Sequence, residues 1–375
     1  MSLFSKLFTK EEPRALGIDI GSSAIKIVQL RRHNGQAILE TYGELALGPY
    51  AGLSVGQSAQ LGADKISQAL MDLMKEREVA VTTRKCGMSI PFSSSLMSVV
   101  EMPDVGVEKL RTMIPLEARK YIPVPIQEVM LDWSIIPRTG ATPNGENLGP
   151  SDPFAKEQVF QTALPKTDVL IVAIHNDTLA RYQDIATRAG LEPGFFEIET
   201  FSTQRAVVDE ALRPVLVIDM GSASTKLYVI ERGIVRASHT VNRGAQDLTS
   251  AISKSLNIST AQAEVLKRQM GLTGDKQATE IMSLVLDYIW SEVESTMLSF
   301  EKKYNKPIAK AILVGGGAAL KGILELAKTN LKVEVELGLP FNKVSAPAFL
   351  DQVLRETGPE FAVAIGLALR KLSEE

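Results

Sequence analysis

The chain has 375 residues, of which 45% are hydrophobic and 23% charged, with a formal net charge of −3. This balance fits a soluble globular protein of about two lobes and supplies no basic surface for nucleic acid. A lone cysteine, Cys86, excludes an internal disulfide and reads as a core residue in a reducing compartment, while His33, His175 and His239 are too scattered for a zinc cluster.

No apolar run reaches the roughly 18 residues of a membrane span and no secretory leader opens the chain, so a cytosolic location is expected. In residues 1–13, Leu3, Phe4, Leu7 and Phe8 would share one face of a short helix with Lys6 and Lys10 opposite. Two turns are marginal alone, so a frayed or locally packed terminus is expected rather than a lipid anchor.

Residues 16–30, LGIDIGSSAIKIVQL, read as strand, Asp-x-Gly-Ser turn and outgoing strand. A turn glycine permits positive φ and close approach of backbone N–H groups to a ligand. After a turn at 31–35, residues 37–47 return as a strand, 48–62 form a Gly/Ser/Ala-rich loop, and 64–77 carry helical spacing. Residues 86–100 alternate as a strand broken at Pro91. A helix over 107–122 has Pro115 inside, which should start or kink it. Pro123 and Pro125 force an extended link into a strand at 129–136. The Gly/Pro/Asn-rich stretch 139–158 reads as a loop. A buried strand at 168–174 leads to a helix capped by Asn176 or Asp177, running to Arg188 with Gly190 beyond it.

The opening pattern then returns. Residues 216–230 read LVIDMGSASTKLYVI, and without gaps Asp19 matches Asp219, Gly21 matches Gly221, Ser22 matches Ser222 and Lys26 matches Lys226. A strand pair follows over 232–241, then a helix over 248–256. Ser259 and Gln262 form a capping box for a helix ending at Gly271, with Glu264 and Lys267 on one face. A surface ion pair is the bland reading of those two. A long core helix spans 281–304 on a stripe of Val285, Ile289, Val293, Met297, Phe300 and Tyr304. Residues 311–326, AILVGGGAALKGILEL, read as a strand, a glycine-rich turn and a helix whose positive end would face an anion. The pattern is neither a dinucleotide fingerprint nor a P-loop. A short strand at 333–337 and a small-residue helix at 361–369 complete the chain.

Two Asp-x-Gly-Ser hairpins followed by a Gly-Gly-Gly-Ala turn resemble the actin-like ATPase superfamily, which includes actin, sugar kinases, heat-shock chaperones and the division protein FtsA. The resemblance implies an α/β fold of the actin-like (ribonuclease H-like) type, duplicated into two lobes with an FtsA-type extra subdomain. The lobes would comprise 1–86 with 192–212 and 342–375, and 213–341, with the insert at 87–191. ATP and Mg²⁺ are the implied cofactors. Gly21, Ser22 and Ser23 would take one side of the phosphates, Gly221, Ser222 and Thr225 the other. Asp19 and Asp219 would hold Mg²⁺ through water. Gly315, Gly316, Gly317 and Ala318 would hold adenosine, with Glu264 and Lys267 facing the ribose and base. Lys26 and Lys226 each lie five residues beyond the turn glycine on an outgoing strand; Lys26 is within reach of a phosphate, and a solvated strand face is the alternative for either.

Glu199 and Gln204, at the connection between lobes, are the candidates for positioning water. Neither is an unambiguous base, so binding is expected and hydrolysis is left open.

The stretch KYIPVPIQEVMLDW after VVEMPDV, and AGLEPGFFEIETFS later, are more specific. They resemble the PilM family of type IV pilus assembly proteins over essentially the whole chain. That resemblance implies a cytosolic scaffold, peripheral at the inner membrane, which docks the N-terminal peptide of a PilN-like bitopic protein in a groove beside the insert. Self-association in a ring or filament, and contact with pilus motor or platform proteins, would belong to the same role. Nucleic acid and direct membrane insertion are not expected. Two alternatives share the fold: an FtsA-like division filament, which would need an amphipathic tail after residue 375, and a small-molecule kinase, for which no substrate-pocket motif is found.

Overall fold

The computed structural model describes residues 12–136, 165–209, 212–274 and 276–375. The expectations for the N-terminal helix face and the 139–158 loop lie outside these residues. The chain divides into a larger unit, residues 1–92 with 178–375, and a smaller one, residues 93–177.

The larger unit opens with β1 (Arg14–Ile20), β2 (Ala24–His33), β3 (Gln36–Ala46), α1 (Ala63–Lys75) and β4 (Lys85–Ile90). The smaller unit holds β5 (Ser95–Pro103), α2 (Val107–Ala118), β6 (Val129–Ile136) and β7 (Lys166–His175). Its sheet runs β5-β7-β6, fully antiparallel, over a core that includes Leu110, Ile114, Val169 and Ile171. Helix α2 passes through Pro115 without ending, forgoing one backbone hydrogen bond instead.

Next come α3 (Asn176–Arg188), β8 (Glu192–Ile198) and α4 (Glu199–Val207). Strands β4 and β8 are hydrogen-bonded neighbours in the larger unit's first sheet. A second sheet then forms from β9 (Val215–Met220), β10 (Thr225–Glu231), β11 (Ile234–Val241), β12 (Lys310–Val314) and β13 (Glu334–Leu337). Between β11 and β12 lie α5 (Ala245–Leu256), α6 (Thr260–Met270) and α7 (Lys276–Tyr304). Helix α8 (Ile323–Asn330) precedes β13, and α9 (Asp351–Thr357) and α10 (Ala362–Glu374) close the chain.

The two sheets repeat one plan. The first runs β3-β2-β1-β4-β8 and the second β11-β10-β9-β12-β13; in each, two antiparallel pairings are followed by two parallel ones. Central strands β1 and β9 are buried almost throughout, as strands covered on both faces must be. The duplication read from the two hairpins is therefore a duplication of whole sheets. Helix α10 lies so close to β1 that a Cβ on Gly17 would stand 1.9 Å from the Ala364 carbonyl oxygen. The stripe along α7 is core, with Ile289, Val293, Met297 and Phe300 buried against β9 and β10 residues.

Candidate nucleotide-binding cleft

Residues Asp19 and Asp219 close the two equivalent central strands, and each is the cross-strand partner of a lysine, Lys26 and Lys226. Side chains alternate along a strand, so each Asp–Lys pair projects to one face. Both pairs line a single cavity of about 330 Å³, within the range of small-molecule sites. Gly21, Ser22 and Ser23 line it from the first turn, and Gly221, Ser222, Ala223 and Ser224 from the second.

Neither turn glycine takes the positive φ expected of it. Their role is space: a Cβ on Gly21 would lie 3.0 Å from the Ala24 carbonyl, and one on Gly221 2.9 Å from that of Ser224. The N–H of each glycine donates to that same carbonyl, which folds both turns alike. The start of α5 braces the second turn, with Ala245 and Gln246 N–H groups donating to the Gly221 and Ser222 carbonyls at 2.9 Å.

Six carboxylates face the cavity, Asp19, Glu44, Glu199, Asp219, Glu264 and Glu360, against the cations Lys26, Lys226, Lys267 and Arg268. Burial, reinforced by the charge of Glu199, pushes the Asp19 carboxyl up to about 6, although Lys26, Lys226 and a 2.8 Å hydrogen bond from Ser89 oppose the shift. Lys26 lies 3.3 Å from Glu44 and 3.9 Å from Glu360. Lys226 lies 2.7 Å from Glu199 and 3.4 Å from Asp219. Burial works against the charge of Lys226, yet Asp219, Glu199 and Asp19 together hold its pKa above the ordinary lysine value. Burial also raises the carboxyl of Glu360.

On α6, capped by Ser259 and Gln262, Glu264 and Lys267 are both buried and 2.7 Å apart. Thr249 donates to Glu264 at 2.6 Å, and Lys267 donates to the Ala245 carbonyl at 3.1 Å. Burial alone would raise the Glu264 carboxyl, but Lys267, Thr249 and Arg268 hold it below its usual range. Burial outweighs the pairing for Lys267, which is lowered. This is a desolvated cluster on the cavity wall rather than a surface ion pair.

The glycine-rich turn passes close beneath Asp219. Gly315 has φ +83°, and a Cβ there would stand 2.4 Å from Asp219 Oδ1, so only glycine fits. The expected helix does not follow directly. A short 3₁₀ turn, Gly316–Ala319, intervenes and α8 begins at Ile323, so the α8 N-terminus is not at the turn.

The loop at 48–62 crosses from one turn to the other. Ser58 Oγ lies 3.3 Å from Ser22 Oγ and 3.3 Å from Ser222 Oγ, and its N–H donates to Gln246 Oε1 at 2.6 Å. Ser222 Oγ donates to the Gly56 carbonyl at 3.2 Å, and the Ala59 N–H to the Ser22 carbonyl at 2.9 Å. A Cβ on Gly56 would stand 2.6 Å from Glu264 Oε1.

Asp19, Gly21, Ser22, Ser23, Lys26, Asp219, Gly221, Ser222, Glu264, Lys267, Gly315, Gly316, Gly317 and Glu199 are thus brought together. Three expected residues are not. Thr225 is fully buried and donates to the Arg243 carbonyl, because it neighbours Lys226 on β10 and must point the other way. Ala318 packs into the core of the second sheet. Gln204 donates to the Gly233 carbonyl. Five residues beyond Glu199 on a helix of about 3.6 residues per turn, Gln204 cannot share its face, whereas Thr203 does and lines the cavity. Glu44, Glu360, Arg268 and Ser58 carry no signal in the sequence, and Lys226 lies in the cleft rather than on a solvated strand face. Strand alternation from Asp219 was the signal for Lys226.

Paired glycine–serine turns, two lysines and a glycine cradle under Asp219 fit the polyphosphate of a nucleotide. Among the described residues no group of three or more His, Cys, Asp or Glu side chains is placed to hold a metal ion.

Two sheets of identical order facing one cleft define an α/β protein of the actin-like class. Within that class, the chain belongs to the PilM family of type IV pilus assembly proteins, whose family model matches residues 17–148 and 154–372. A solved PilM–PilN type IV pilus biogenesis complex contains a similar chain, with a TM-score of 0.77 and 26% identity, covering 96% of this chain and 98% of that one. The cell division protein FtsA of Neisseria meningitidis serogroup B is 26% identical over 354 residues, covering 86% of this chain and 82% of its own. FtsA of Bacillus subtilis is 23% identical over 366 residues, covering 87% and 78%. The ethanolamine utilization protein EutJ of Carboxydothermus hydrogenoformans shares the fold, with a TM-score of 0.53 and 16% identity, covering 95% and 89%. No helix among the described residues is long and apolar enough to cross a membrane.

Proposed function

We propose that this type IV pilus assembly protein is an ATP-binding scaffold of the inner-membrane platform, peripheral to the membrane through a PilN-like partner. The cleft carries the reading. Two mirrored turns offer backbone N–H groups and serine hydroxyls to phosphates, Lys26 and Lys226 supply positive charge, and Asp19 and Asp219 hold Mg²⁺ through water. Mg²⁺ offsets the excess of carboxylates and the charge of the phosphates. Gly315 to Gly317 and the Glu264–Lys267 wall receive the nucleoside.

Hydrolysis is not built in as strongly. Glu199 is the one expected water-positioning group inside the cleft, and both its oxygens are engaged, by the Phe92 N–H and by Lys226, each at 2.7 Å. Binding with slow turnover follows.

The docked partner is the N-terminal cytosolic peptide of a PilN-like membrane protein, a reading supported by the PilM–PilN complex that contains the similar chain. Peptide and ATP affinities should then be coupled reciprocally. The test is ATP and ADP affinity with Mg²⁺ for wild type and Asp219→Ala, with and without the peptide. Binding by wild type only, tightened by peptide, supports the scaffold. Equal affinity with and without peptide removes the coupling, and no nucleotide binding removes the cofactor.

A further inference from the structure

Glu199 stands at a junction. It is the first residue of α4, directly after β8 of the first sheet, and is only 8% exposed. Its Oε2 accepts from Lys226, which rises from β10 of the second sheet. Its Oε1 accepts from the backbone N–H of Phe92, the last residue of the larger unit before the chain leaves for the smaller one at Ser93. One buried carboxylate thus joins the second sheet to Phe92, the larger unit's last residue before the chain enters the smaller one.

We propose that Lys226 senses the terminal phosphate of the nucleotide and, through Glu199, reports it at the root of the smaller unit. The inference rests on the nucleotide reading of the cleft and specifies how that site regulates the rest of the chain. The chemistry is an exchange of partners. Lys226 lines the same cavity as both turns and already contacts two carboxylates. A terminal phosphoryl group concentrates more negative charge than one carboxylate, so the ammonium turns to the phosphate. Glu199 then keeps only the Phe92 N–H. A buried carboxylate that loses its counter-ion is costly, so it must re-form its hydrogen bonds, and the segment it still holds shifts or tightens with it. ADP, lacking the terminal group, leaves the Lys226–Glu199 pair in place.

The experiment is hydrogen–deuterium exchange over residues 92–103 of the full chain, alone, with Mg²⁺ and a non-hydrolysable ATP analogue, and with Mg²⁺ and ADP. Nucleotide affinity is measured in the same samples. In wild type, exchange at the segment changes several-fold with the ATP analogue and not with ADP. Lys226→Met binds the analogue about tenfold more weakly, and at saturating analogue shows no change at the segment, while Lys226→Arg restores it. Circular dichroism confirms that both variants are folded.

Wild type that binds both nucleotides with unchanged exchange at 92–103, or with the same change for ADP, overturns the proposal and leaves the nucleotide reading standing. A full response in folded Lys226→Met also overturns it. Wild type that binds neither nucleotide removes the reading itself, and this inference with it.

Discussion

The two sheets share order, direction and an Asp–Lys cross-strand pair, yet they hold those pairs in different electrostatic surroundings. The difference arises one strand away. Parallel to β1, β4 brings Ser89 to Asp19, and the hydroxyl donates to Oδ1 at 2.8 Å. Parallel to β9, β12 brings Val314 to Asp219, and Gly315 follows directly against its carboxylate. Lys26 turns to Glu44 and Glu360, whereas Lys226 stays with Asp219 and reaches across to Glu199. Asp19 is left with a neutral donor and a raised pKa, Asp219 with an ion pair. Duplication supplied a symmetric frame, and neighbours outside the repeated motif divided its labour.

The asymmetry can be broken most forcefully at the aspartates. Asp219→Asn leaves Lys226 without one partner of a buried pair and is expected to cost about 3 kcal/mol. Asp19→Asn relieves a desolvated carboxylate, keeps a group that can accept from Ser89, and should stay within about 1 kcal/mol of wild type. Denaturant unfolding of the two variants at neutral pH measures the contrast, and equal losses would make the lobes equivalent. Next in size, Gly315→Ala places a methyl where Asp219 stands and strains a left-handed backbone. A loss of about 2 kcal/mol is expected by the same assay.

Acidity sharpens the comparison further. Folded Asp19 retains its proton up to about pH 6, against 3.8 for the unfolded side chain. The native state therefore binds more protons within that window, and this group's contribution to stability falls as pH rises through it. Thermal melts at about pH 5 and about pH 7 should show a slope in wild type that Asp19→Asn flattens. Because Mg²⁺ needs the ionised carboxylate, affinity for Mg²⁺–ATP should fall as pH drops below about 6, measured by titration calorimetry. The smallest effect is expected at the loop. Ser58→Ala should cost about 0.5–1 kcal/mol in melting and weaken protection of the 54–59 amides.

Much of this architecture was legible in the chain itself. Both hairpins, the capped α6 with Glu264 and Lys267, the glycine cradle and most element positions follow from alternation, caps and turn chemistry. What escaped was of two kinds. Thr225 was chosen where its neighbour Lys226 faces the cleft, although strand alternation from Asp219 forbids both. Gln204 and Ala318 were placed by nearness in sequence to cleft residues, while helix periodicity and core packing turned their side chains away. The other kind is set by tertiary distance. Ser58 meets Ser222 across 164 positions, and Glu199 meets Phe92 across 107, with no local pattern announcing either contact. The PilM-type stretch around Lys120–Trp133 identified the family without revealing any of these bonds.

The loop over the two turns has a consequence for timing. It carries no group that would act on a nucleotide, yet it stitches both lips of the cleft through several hydrogen bonds of about 1 kcal/mol each. These bonds span the two turns, so separating the turns must break them, and the loop adds their combined strength to the cost of opening. Release of whatever lies beneath then depends on a stretch of small side chains as well as on the groups that line the cleft.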